Sequence, residues 1–61
     1  MRLILIIEDE AAIRRVLVKI LGEESDTYIV EEAEDGVQAV ELCKKHLYNL
    51  IFMDIISLMV V

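Results

Sequence analysis

Carboxylates dominate the chemistry this sequence offers. Glu8, Asp9 and Glu10 form an unbroken acidic run, and Asp54 is set inside an apolar stretch, between Met53 and Ile55. Carboxylates that crowd together repel one another unless a cation neutralises them. Mg²⁺ suits such a cluster, because it takes oxygen ligands from one or two carboxylates and keeps several waters. A carboxylate beside that ion is also a nucleophile toward phosphorus, forming an acyl phosphate whose charge the metal offsets. The acidic triplet has a plainer reading, in which it caps and charges the start of a helix. Asp54 is harder to read that way, since a carboxylate within an apolar run needs a partner or a metal.

For these groups to meet, the chain must bring residues 8–10 next to residue 54. Leu3-Ile4-Leu5-Ile6-Ile7 is a continuous apolar run of the kind expected for a parallel strand covered on both faces. After the acidic run, Ile13, Val16, Leu17, Ile20 and Leu21 recur at helical spacing, with Arg14, Arg15 and Lys19 off the stripe and Gly22 where a left-handed residue would end the helix. Thr27-Tyr28-Ile29-Val30-Glu31-Glu32 reads as a second strand, and Asp35-Gly36 as the turn into a second helix. In that helix Val37, Val40, Cys43 and Leu47 form one stripe, flanked by Ala39 and Leu42, which makes Cys43 a core-face residue. Lys44, Lys45 and His46 stand at its C-terminal end, where positive charge suits the dipole. Leu50-Ile51-Phe52-Met53 then runs into Asp54 as a third strand. The reading is α/β, as β-α-β-α-β with a parallel sheet.

Right-handed crossovers could step onward in one direction, or the second could reverse over the first strand and give the order 2-1-3. The carboxylates favour the reversal. In that order the first and third strands are neighbours at about 4.8 Å, and their carboxyl ends open on one crevice at a topological switch point. Glu8, Asp9 and Asp54 then share a pocket, and phosphoryl transfer onto Asp54 follows as the expected chemistry.

The chain resembles the first half of a response-regulator receiver domain of the chemotaxis-regulator type, with a flavodoxin-like fold. The residues that carry the resemblance are the strand Leu3 to Ile7 with Glu8-Asp9-Glu10, the helix opening Ala12-Ile13-Arg14-Arg15, the segment Glu32-Ala33-Glu34-Asp35-Gly36, and Leu50-Ile51-Phe52-Met53-Asp54. By position, the resemblance implies that Asp54 is the phosphoacceptor, served by a histidine kinase in two-component signalling. It also implies Mg²⁺ bound by Asp9 and Asp54 directly, by Glu8 through water, and by the Ile56 carbonyl. Arg14 and Arg15 would lie on a kinase-facing surface, although a solvated helix face reads equally well. Glu31, Glu32, Glu34 and Asp35 read as solvent charge, and His46 as a helix-end residue without a ligand role.

The departures from the family pattern fall at the end of the chain. Ser57 and Leu58 occupy the places of the family's Met-Pro, and the sequence stops at Val61, so residues 1–61 read as a truncated receiver domain. The later strands, with the Ser/Thr and Lys that contact the phosphoryl group in the family, have no counterpart. A frameshift or truncation in the gene would account for a tail of Ser-Leu-Met-Val-Val, and codons unable to yield proline in the shifted frame would exclude a frameshift. The expected consequence is a bare outer edge on the third strand. The apolar strand from Leu50 to Val61 would pair with its copy about a twofold axis, giving a homodimer with a continuous sheet. The alternative function is therefore a phosphorylation-impaired receiver remnant that acts as a dimeric protein-binding module.

Composition limits the remaining classes. Of 61 residues, 57% are hydrophobic, too many for a disordered chain. Twelve acidic against six basic side chains argue against a nucleic-acid surface, since phosphate binding needs clustered Lys and Arg. No apolar run approaches the roughly 20 residues of a membrane helix, and the start lacks a signal-peptide pattern. Cys43 is the only cysteine, so neither an intramolecular disulfide nor a Cys-rich zinc site reinforces the fold, and a cytoplasmic setting is expected.

Overall fold

The computed structural model of the chain describes residues 2–24 and 26–53. Three strands and two helices alternate: β1 (Arg2–Ile7), α1 (Ala11–Glu24), β2 (Tyr28–Ala33), α2 (Gly36–Lys45) and β3 (Leu50–Met53). The sheet is parallel, in the order β2-β1-β3, so the second crossover reverses over β1, as expected. The result is the receiver-type half of a flavodoxin-like sheet.

β1 is central because its side chains are apolar on both faces. Ile4, Leu5, Ile6 and Ile7 are all buried, and alternation along a strand sends Leu5 and Ile7 to one face and Ile4 and Ile6 to the other. Leu5 and Ile7 join Ala33 and Ala39 in a core cluster on the α2 side, with Leu42 and Tyr48 packed against it. α1 covers β2 and β1. Register is pinned just before β3 by Asn49, whose N–H donates to the Leu3 carbonyl while its Oδ1 accepts from the Leu3 N–H, each at 2.8 Å. From there Ile4 pairs with Leu50, and Ile7 with Met53.

The helices begin and end for local reasons. Asp35, in extended conformation, caps α2 by accepting from the Gln38 N–H at 2.8 Å, and Gln38 Oε1 accepts in return from the Glu34 N–H at 2.9 Å. One donor that the first turn leaves orphaned, the Gln38 N–H, is thereby satisfied, together with the Glu34 N–H just before the cap. His46 is the C-cap of α2, its N–H donating to the Leu42 carbonyl.

Three expectations about helix faces and ends are corrected. Gly22 does not terminate α1, which continues to Glu24, and no glycine among the described residues has positive φ. α1 turns Arg14, Leu17, Val18 and Leu21 toward the sheet and leaves Ile13, Val16 and Ile20 exposed. That rotation follows from Arg14, which is drawn inward by an ion pair with Glu32 of β2. In α2, Ala39 and Leu42 face the core, whereas Val37, Val40 and Cys43 are exposed, as is Leu47, which lies beyond the end of the helix. The small side chain of Ala39 lets the helix approach the sheet closely on that side. Cys43 is therefore a free surface thiol and not a core-face residue.

Candidate functional site

The carboxyl ends of β1 and β3 open on the same edge of the sheet, because the two strands are parallel neighbours and Ile7 stands opposite Met53. Glu8, Asp9 and Glu10 follow Ile7 directly, and Asp54 is next in sequence after Met53. Asp54 and Ile56 lie outside the described residues.

The segment that follows β1 is a tightly held turn. Glu8 extends the ladder by one residue, its N–H donating to the Ala33 carbonyl at 3.0 Å. Its side chain is folded inward, leaving the residue 4% exposed, and its Oε1 accepts from the Glu10 N–H at 3.2 Å. A carboxylate withdrawn from water to this degree needs compensation. The Glu10 amide supplies part of it, and the N-terminal dipole of α1 favours negative charge at this place. The bland reading of the acidic triplet thus holds in part, since Glu8 does serve the start of the helix. Asp9, by contrast, is exposed.

Sequence reasoning missed the group that closes this turn. Arg14 Nη1 donates to the Glu8 carbonyl at 2.7 Å, and its Nε donates to Glu32 Oε1 at 3.0 Å. With its side chain only 14% exposed, Arg14 is a structural brace and not a solvated surface charge. The signal was present in the strand alternation, which sets Val30 and Glu32 on the α1 face of the sheet. Arg15 is exposed, as expected of a solvated helix face. Together with Arg14, Lys19, Glu32, Glu34 and Gln38 it lines a cleft of about 480 Å³ beside the turn. The acidic residues of β2 and its following turn are likewise engaged. Glu31 accepts from the Tyr48 hydroxyl, Glu32 pairs with Arg14, and Asp35 caps α2.

The donors present suit Mg²⁺. They are hard carboxylate oxygens, one of them on a buried residue, set at the mouth of a parallel sheet. Among the described residues no three His, Cys, Asp or Glu side chains converge on one point. Of the residues expected to bind the ion, Glu8 and Asp9 stand adjacent in the β1–α1 turn.

Comparison with known proteins identifies the family of the chain. The family model of the response regulator receiver domain matches residues 4–56. The chain is 50% identical over 54 residues to the transcriptional regulatory protein PdtaR of Mycobacterium tuberculosis, covering 88% of this chain and 26% of that protein. It is 42% identical over 53 residues to the chemotaxis protein CheY of Halobacterium salinarum, covering 87% of this chain and 42% of that protein. A protein-glutamate methylesterase/protein-glutamine glutaminase of Myxococcus xanthus is 44% identical over 52 residues, covering 85% of this chain and 15% of that protein. The chain spans less than half the length of each of these relatives. No solved structure matches.

Proposed function

Since the chain belongs to the response-regulator receiver domain family, we propose that it is a phosphoacceptor of two-component signalling, taking a phosphoryl group from a histidine kinase onto Asp54 in the presence of Mg²⁺. The observation that carries this reading is the parallel pairing of β1 with β3, Ile7 beside Met53, which supports a shared pocket for the acidic tips of the two strands. In the proposed reaction an Asp54 carboxylate oxygen forms a bond to phosphorus, the P–N bond of the phosphohistidine breaks, and the imidazole leaves. Asp9 and Asp54, with the Ile56 carbonyl, would hold the ion directly, and Glu8 through water. When bound, the ion offsets the negative charge that builds between carboxylate and phosphoryl group. Glu8 is buried, and the hydrogen bond from the Glu10 amide holds its carboxyl group in place in the turn beside Asp9. The domain is a signalling acceptor and not an enzyme with a diffusible product. Its proposed setting is the cytoplasm, in keeping with the free thiol of Cys43. No described helix is long and apolar enough to cross a membrane.

Incubation of the chain with acetyl phosphate and Mg²⁺, read by intact mass, tests the proposal. The expected result is a species heavier by one phosphoryl group that is absent in Asp54→Asn. No such species in the parent chain would overturn the reading.

A second reading is a dimeric binding module that accepts phosphate poorly or not at all. It is favoured by β3, whose four residues are each 42–49% exposed and whose outer edge has no neighbouring strand among the described residues. The proposed occupant is a second copy, paired antiparallel along the strand that begins at Leu50, in the sheet order 2-1-3-3′-1′-2′. Sedimentation at micromolar concentration should show a dimer, and a folded monomer there would refute it.

A further inference from the structure

Arg14 occupies a place in the fold that neither the acidic residues nor the helix pattern assigns. Its backbone N–H makes the first bond of α1, to the Glu10 carbonyl at 2.9 Å. Its guanidinium reaches back past that bond to the Glu8 carbonyl, and Glu32 on β2 holds the same guanidinium by its Nε. The β1–α1 turn, with its three acidic residues Glu8, Asp9 and Glu10, is thus closed into a ring through one side chain. The planar guanidinium fork allows one group to serve two acceptors in fixed relative directions, which the ammonium of a lysine cannot do.

We propose that Arg14, aligned by Glu32, is the positioning residue of the divalent-cation pocket: it locks the peptide between Glu8 and Asp9 so that both carboxylates are presented in a binding geometry. This rests on the reading that Glu8 and Asp9 serve Mg²⁺. The cation itself does not touch Arg14. The arrangement is that of outer-sphere partners that orient metal ligands, whose loss lowers affinity by about 10- to 100-fold.

The sign of the effect separates positioning from plain electrostatics. Arg14 is a positive charge near the pocket, and removing a like charge should strengthen cation binding. A positioning role predicts the opposite. Titration calorimetry of Mg²⁺ onto the full chain is the measurement, with far-UV circular dichroism confirming that each variant is folded. Arg14→Gln should raise the Mg²⁺ Kd about tenfold or more. Arg14→Lys, which keeps the charge but loses the fork, should weaken binding as well. Glu32→Gln, which leaves Arg14 without its charged anchor, should shift Kd in the same direction without touching the turn. Arg15→Gln removes an exposed charge from the same helix and should leave Kd unchanged or slightly lower it. If Arg14→Gln does not fold, Arg14→Lys carries the test alone, because neutralising Glu32 would weaken cation binding by plain electrostatics as well.

Mg²⁺ binding in the parent chain that is equal or tighter in the Arg14 and Glu32 variants overturns the positioning role and leaves the proposed function intact. If the parent chain itself shows no Mg²⁺ binding, and Asp9→Asn changes nothing, then the proposed function fails and the positioning role with it.

Discussion

Tyr48 and Glu31 are joined across the central strand. The Tyr48 hydroxyl, on the segment leading into β3, donates to the Glu31 carboxylate on β2, spanning the face of β1 that carries Leu5 and Ile7. One hydrogen bond therefore ties the two outer strands of the sheet to each other. The phenol is half-buried, with His46 meeting its ring edge-on.

Burial and the neighbouring Glu31 carboxylate push the Tyr48 hydroxyl up from 10.0 to about 12. A raised folded value means that the neutral phenol is the form the fold favours. Its contribution is complete below pH ~10 and is lost as pH rises toward 12. The parent chain should lose stability between these limits, and Tyr48→Phe should lose less over the same interval. At neutral pH the same substitution should destabilise by about 1 kcal/mol, the order of a net hydrogen bond. Chemical denaturation of both chains at pH 8 and pH 11 checks it, and parallel pH curves for the two would contradict the assignment.

Asp35→Ala removes the cap of α2 and should reduce stability by about 1 kcal/mol. Asp35→Asn should retain most of it, since the amide oxygen can still accept from the Gln38 N–H. Thermal melts followed by circular dichroism distinguish the two.

Much of this fold was legible because its signals are local. The apolar run from Leu3 to Ile7 announced a strand covered on both faces, Asp35-Gly36 announced the start of α2, and the acidic residues that follow Ile7 and Met53 in the sequence favoured the order 2-1-3 over its alternative. Helix rotation was not legible, because it is settled by partners distant in sequence. Ile13 and Val16 look like core residues until the Arg14–Glu32 pair turns α1, and Val40 and Cys43 look inward until Ala39 docks on Leu5 and Ile7. The brace of Arg14 and the Tyr48–Glu31 bond were hidden for the same reason. They join residues 18 and 17 positions apart, whose meeting depends on strand register. Within the site, Glu8 and Asp9 fell at the predicted edge, whereas Asp54 and Ile56 are known here only from the sequence.

Because Cys43 is an exposed free thiol, it should react with iodoacetamide in the native protein at a rate close to that in denaturant. Strong native protection would mean that the Val40–Cys43 side is covered in solution. The groove of about 460 Å³ between α2 and β3, lined in part by Ile7, Ala39, Val40, Cys43, Ile51 and Met53, is the surface this reagent reports on.

A charge on β3 should prevent the proposed self-association. Phe52 is 45% exposed and lies within the four residues that pair with β1. Lysine on an edge strand discourages addition of a further strand. Phe52→Lys is expected to sediment as a monomer where the parent chain forms dimers. A dimer that survives the substitution would place the contact elsewhere.

The position of β1 between its two neighbours also governs how the molecule must assemble. The first strand in the chain gains one flank only when residues 28–33 arrive and the other only with residues 50–53. Its sticky segment therefore emerges from the ribosome long before either companion exists, and non-local pairing of this kind is slow. During that interval this apolar stretch is unprotected. Yield on expression should accordingly depend on chaperone supply more steeply than the modest size of the domain suggests.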